Sequence, residues 1–259
     1  MSNEPKKSLG QHWLYDETVL GQICDSAAVS KDDMVLEIGP GLGTLTKLLV
    51  SRAREVVAVE YDPILAASLP AKFKGGNLQV IHQDILSFDL TSLPAGYKVV
   101  ANIPYYLTSN LIRVLTESTN PFSMAAILIQ KEVAERVVAS PGQMSILSVS
   151  AQFYCEVSLG PKVGRELFTP PPKVDSQVLN LRYRSQPLFE DVDVKQFFRL
   201  VKAGFSQKRK TLVNSLSAGL NIDKDQTRSM LETAGIANNT RAQALSLENW
   251  HDLYKSLIK

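Results

Sequence analysis

Short runs of branched apolar residues recur along the first two-thirds of the chain, and each stops at a polar or glycine-rich segment. Residues 34–38, 55–60, 78–82, 97–101 and 124–130 read as strands, with 97–101 a buried one. Asp16 can cap a helix from about Glu17 to Ser26, and a second helix follows a glycine turn over residues 45–50. A charged helix runs from 131 to about 139, where Pro141-Gly142 breaks it and the chain passes almost directly into 143–148. Residues 152–157 read as a strand, and 178–183 alternate enough to be the last one, in a terminal hairpin. Strands at regular intervals predict an open α/β sheet with ligands along its carboxyl edge.

Past Ser185-Gln186-Pro187 the period changes. Phe198, Val201 and Phe205 fall at helical spacing, as do Lys195, Arg199 and Lys202, while Trp250 and Tyr254 stand four apart and should pack inward. Gly219 and Gly235 punctuate helices. The expected organisation is a sheet domain over 1–186 and a helical domain over 187–259.

Composition narrows the class. Of 259 residues 44% are apolar, and no run reaches the length of a membrane span. The start lacks the apolar core of a signal peptide, so a cytoplasmic protein with no membrane partner is expected. Cys24 and Cys155 are too few for a disulfide framework and read as buried apolar residues, and three scattered histidines offer no metal site. Net charge is only +2, but residues 194–222 carry Lys195, Arg199, Lys202, Lys208, Arg209 and Lys210 with no acid among them. That asymmetry points to phosphate contact more than the total does.

Candidate chemistry sits where the strands end. Gly39-Pro40-Gly41-Leu42-Gly43-Thr44 joins a strand to a helix, and such glycines let backbone approach a ligand and expose helix amides. Glu60 ends the next strand, 21 residues after Gly39, where a carboxylate can accept both ribose hydroxyls. Asp84 follows the third strand and either accepts from an adenine amino group or caps a loop. Together they indicate a nucleoside-bearing cofactor, without separating a nicotinamide dinucleotide from S-adenosylmethionine. The fourth strand ends in Asn102-Ile103-Pro104-Tyr105. The Asn102 carbonyl can accept from an exocyclic amine, Pro104 biases Ile103 so that its carbonyl becomes a second acceptor, and Tyr105 can stack on the ring. Phe168 precedes three prolines, 170–172; it either closes the second face of that ring or plugs the core.

Asn-Ile-Pro-Tyr resembles the signature of methyltransferases acting on adenine N6, and with Tyr106 and Leu107-Thr108-Ser109 it is most similar to the ribosomal RNA adenine dimethyltransferase family. The resemblance runs from Lys6 to about Leu216. It includes an N-terminal arm, where His12 and Trp13 stand for the family's Asn and Phe, and the loop 168–176. It also includes the element 205–212, where Lys208 replaces an Arg. It implies a class I S-adenosylmethionine-dependent methyltransferase: a Rossmann-like seven-stranded sheet followed by a small C-terminal all-α domain. S-adenosylmethionine would lie against His12, Leu14, Gly39, Gly41, Gly43, Glu60, Asp84 and Asn102. Asn102, Ile103, Pro104, Tyr105 and Phe168 would serve catalysis, and Lys6, Lys7, Lys202, Lys208, Arg209 and Lys210 would bind RNA. The implied partner is the small ribosomal subunit, methylated by a monomer at N6 of two adjacent adenosines in the 3′-terminal hairpin of its RNA. A macrolide-resistance-type large-subunit enzyme, a DNA adenine methyltransferase and a noncatalytic assembly factor remain as alternatives.

Overall fold

A computed structural model describes residues 5, 6 and 9–258. Lys7 lies outside the described residues. The chain divides into two compact units, one built from the residues up to Glu135 plus Cys155–Tyr183, the other from Arg136–Tyr154 plus 184 onward.

In the first unit, β1 (Trp13–Leu14) and α1 (Glu17–Ser26) precede an alternating series. This runs β2 (Met34–Ile38), α2 (Thr44–Arg52), β3 (Glu55–Glu60), α3 (Pro63–Ser68), β4 (Leu78–His82), β5 (Lys98–Asn102), α4 (Thr108–Thr116), β6 (Met124–Gln130) and α5 (Lys131–Val137), whose last two residues fall in the second unit. After an excursion into the second unit come β7 (Cys155–Val163), β8 (Phe168–Thr169) and β9 (Ser176–Tyr183). Seven strands form one sheet in the order β4-β3-β2-β5-β6-β9-β7. Strands β2 to β6 are parallel, while β9 runs antiparallel to both β6 and β7. Parallel strands are covered on both faces, which is why β2 is buried at all five positions and β5 at its middle three. Successive strands step outward on one side of β2 and then on the other, so the order reverses between β2 and β5. Such a switch point opens a crevice at the carboxyl ends of the two strands. The glycine turn follows β2 and Asn102 ends β5.

The second unit is helical: α6 (Ile146–Tyr154), α7 (Val194–Phe205), α8 (Leu212–Leu220), α9 (Lys224–Thr233) and α10 (Leu247–Leu257). Its core gathers Phe153, Phe197, Leu200, Leu216, Leu231 and Trp250. Gly219 lies inside α8 rather than at its end, because a Cβ there would stand 2.7 Å from that of Ala203 on α7. The small residue lets two helices approach closely. Trp250 and Tyr254 are buried as expected.

Two sequence expectations shift. Residues 152–154 are helical, and the strand starts at Cys155. Val149 and Phe153 present one helical face to the second core, and Gln152 Nε2 closes the end of α5 by donating to the carbonyls of Val137 (2.8 Å) and Ala139 (2.9 Å). The compact units also differ from a division at 186/187, because 136–154 cluster with the C-terminal helices. Gly142 and Met144 amides donate to the Gln243 carbonyl, and Met144 enters the helical core. No described helix is long and apolar enough to cross a membrane.

Candidate active site

A cavity of about 430 Å³ lies at the switch point, bounded by the glycine turn, Glu60, Asp84, residues 102–107 and the arm residues 9–14. Its size suits a small-molecule site. Every expected cofactor residue except Gly43 lines it, and all four residues of Asn102–Tyr105 do so.

The turn is held open by left-handed backbone at Gly39 (φ +66°), Gly41 (φ +58°) and Gly43 (φ +86°). Gly43 starts α2 without a side-chain cap. A Cβ on Gly41 would stand 2.7 Å from Trp13 Cζ3, so the indole lies directly on the bare turn. The Gly41 amide donates to Glu60 Oε2 at 3.0 Å, and the Asp62 amide donates to Oε1 at 2.8 Å. Each oxygen keeps a lone pair for a further donor. Burial pushes the Glu60 carboxyl upward in pKa, with the two amides pulling against it. Asp84 caps a short 3-10 turn, its Oδ1 accepting from the Leu86 amide at 2.9 Å, and the residue borders the cavity.

At the reactive end, Asn102 pairs in register with Leu128 of β6, which fixes its backbone. Neither its side-chain amide nor the Ile103 carbonyl takes part in a hydrogen bond with the described residues. The Tyr105 hydroxyl shares a hydrogen bond with Ser176 Oγ at 2.8 Å. The ring stacked on Tyr105 belongs to His12, at 6.1 Å between centroids and 24° between planes. Phe168 borders the cavity but is 3% exposed and packs in the core.

The arm is fastened by contacts the sequence reading missed. Trp13 and Leu14 pair antiparallel with Thr169 and Phe168 as β1 and β8. His12 Nδ1 donates to the Pro170 carbonyl at 2.6 Å. Two residues per strand carry no period, so no pattern could signal this pairing. Lys6 pairs with the buried Asp62. Lys202, Lys208, Arg209 and Lys210 are exposed in the second unit and form no ion pair among the described residues. Cys24 and Cys155 are both buried.

Glu37 was also missed, although a carboxylate inside a fully buried strand was a visible signal. It is 1% exposed, and neither its oxygens nor Thr46 Oγ1 has a partner in hydrogen-bond geometry among the described residues. Burial pushes its pKa from 4.5 up to about 8 against the pull of the Thr46 hydroxyl, and the Glu60 charge adds to the rise. The stability that goes with a neutral Glu37 is therefore fully present below about 4.5 and is lost as pH rises through about 8. Glu37→Gln should flatten the fall in thermal midpoint across that window, a fall worth at most about 1.4 kcal/mol per pH unit. An unchanged pH slope would show that Glu37 does not titrate there.

Comparison with known proteins agrees with this geometry. The family model described as ribosomal RNA adenine dimethylase matches residues 2–259. A ribosomal RNA small subunit methyltransferase A from Dehalococcoides mccartyi (strain CBDB1) is 42% identical over 252 residues, 96% of this chain and 87% of the relative. The protein of that name from Clostridium botulinum (strain Langeland) is 44% identical over 254 residues, 95% and 92% of the two chains. Among solved structures, the 23S rRNA methyltransferase ErmE superposes with a TM-score of 0.77 at 31% identity, covering 95% of this chain and 100% of its own. A dimethyladenosine transferase from Plasmodium falciparum gives 0.77 at 27% identity, covering 93% and 95%. With the switch-point cavity, the glycine turn and the Asn-Ile-Pro-Tyr segment all in place, the chain belongs to the ribosomal RNA adenine dimethylase family.

Proposed function

We propose that this protein transfers methyl groups from S-adenosylmethionine to N6 of two adjacent adenosines in the 3′-terminal hairpin of small-subunit ribosomal RNA, leaving N6,N6-dimethyladenosine. It acts as a monomer in the cytoplasm. The observation that carries the reading is the pair of acceptors at Asn102 and Ile103, which take no hydrogen bond from the described residues and stand beside the cavity.

Adenine N6 is a weak nucleophile because its lone pair is delocalised into the ring. Asn102 Oδ1 and the Ile103 carbonyl can together accept both amino hydrogens, which fixes the ring and favours a tetrahedral nitrogen with its lone pair available. After one methylation a single hydrogen remains, so one acceptor suffices for the second transfer. Tyr105, held through Ser176, supplies a stacking wall, and Phe168 adds apolar surface deeper in the cavity. The chain's contribution is chiefly positioning. A target base must leave its stack to enter, which costs a few kcal/mol in duplex and less in a loop.

The residues fit the cofactor. The bare Gly41 lets the Trp13 indole lie on the turn at the cavity edge, Glu60 keeps acceptor capacity for ribose hydroxyls, and Asp84 can take an adenine amine. S-adenosylmethionine, when bound there, supplies a methyl group activated on a sulfonium. His12, Trp13 and Leu14 border the cavity on the side of the arm.

The small-subunit relatives are 42–44% identical, against 31% for the 23S enzyme, which favours the small subunit as substrate. Intact Glu60, Asp84 and Asn102 at one cavity disfavour a noncatalytic role. The nucleoside product tests the reaction directly: digestion of methylated small-subunit RNA should release dimethyladenosine, and monomethyladenosine alone would refute the two-step transfer. The exposed cations supply phosphate contacts in this reading. Neutralising Lys208, Arg209 and Lys210 together should weaken RNA binding and reduce the salt slope by roughly 2–3. An unchanged slope would make them a solvated surface.

A further inference from the structure

Lys6 reads in sequence as a phosphate contact, yet the structure engages it elsewhere. Its Nζ lies 2.6 Å from Asp62 Oδ2, and the Asp62 side chain is 2% exposed where that of Lys6 is 44%. The other Asp62 oxygen accepts from the Ile64 amide at 2.9 Å, capping α3. The Asp62 amide holds Glu60 Oε1, and Glu60 Oε2 holds Gly41. An unbroken chain of bonds thus leads from the arm to the glycine turn. Lys6 also organises the arm itself, since its amide donates to Gln11 Oε1 at 2.8 Å and its carbonyl accepts from the Leu9 amide at 3.0 Å. Residues 9–14, which follow, all border the cavity.

We propose that Lys6 is a positioning residue for the cofactor: its ion pair with Asp62 latches the arm over the cavity and holds Glu60 ready to accept the ribose hydroxyls. The inference rests on the reading that this cavity binds S-adenosylmethionine. Charge supports it as well as geometry. Burial already disfavours ionised Glu60, and the neighbouring Asp62 charge disfavours it further. The ammonium of Lys6 offsets that second effect. Without it, Asp62 becomes an uncompensated buried carboxylate beside Glu60, and a neutral Glu60 is a poorer acceptor for hydroxyls.

A latch and a phosphate contact make opposite predictions. Lys6→Met keeps the apolar stem and removes the charge, while Lys6→Arg keeps the charge. The dissociation constant of S-adenosylmethionine and the KM for small subunits lacking the dimethylation should be measured on both. In Lys6→Met the cofactor constant should rise about tenfold, with the subunit KM within about twofold and kcat at saturating cofactor near wild type. Lys6→Arg should restore most of the affinity. Asp62→Asn should weaken the cofactor too, and adding it to Lys6→Met should cost little more, as expected for one shared interaction. Unchanged cofactor affinity in Lys6→Met, with a raised subunit KM and a shallower salt dependence, would overturn the latch and return Lys6 to the RNA. A wild-type chain that does not bind S-adenosylmethionine would overturn the cofactor reading and the latch with it.

Discussion

Asn102→Ala should lower the rate of methyl transfer about a hundredfold or more while leaving S-adenosylmethionine bound within a few-fold of wild type. The substitution removes the only side-chain acceptor of the Asn102–Ile103 pair and leaves the backbone intact. That backbone is fixed by register with Leu128, and its carbonyl faces Gly39, so the cofactor side of the strand end survives. The amide has no bond with the described residues, so its loss leaves no buried partner unsatisfied and stability should hardly change. The loss should therefore appear in kcat rather than in cofactor affinity. Wild-type turnover in Asn102→Ala would remove the acceptor from the mechanism.

A second large effect is expected at the glycine turn. Gly41→Ala should weaken S-adenosylmethionine at least about tenfold. Alanine at φ +58° is strained by about 1 kcal/mol. More importantly, its methyl would lie 2.7 Å from Trp13 Cζ3, closer than non-bonded carbons pack. The indole cannot retreat freely, because Trp13 is paired with Thr169 and follows His12, which is tied to Pro170. Either the turn or the arm must move. The turn also carries the amide that holds Glu60, so cofactor affinity should suffer on both counts. Titration with S-adenosylhomocysteine measures the effect without turnover. Unchanged affinity would mean that the turn does not cradle the cofactor.

Much of the sheet is legible in the chain because the inner parallel strands β2, β3, β5 and β6 are largely buried and so appear as mostly apolar runs, while the edge strand β4 is only partly covered. Glu60, Asp84 and Asn102 are legible for a related reason: polar residues at the carboxyl ends of such runs have little packing purpose. What the sequence hides is either short or distant. The β1–β8 pair joins residues more than 150 positions apart through two residues each. Lys6 looks like any arm lysine until Asp62 is found buried beneath it. Residues 152–154 are apolar enough for strand or helix, and only the second core decides between them. Phe168 borders the cavity as a ligand residue would, yet it is buried as a core residue would be, because β8 pulls it against Leu14.

The most direct test of the account is labelled methyl transfer from S-adenosylmethionine to purified small and large ribosomal subunits that lack their adenine dimethylations. Label confined to the small subunit, recovered as dimethyladenosine, is the predicted result. Label in the large subunit instead, or none in either while the cofactor is bound, would contradict it.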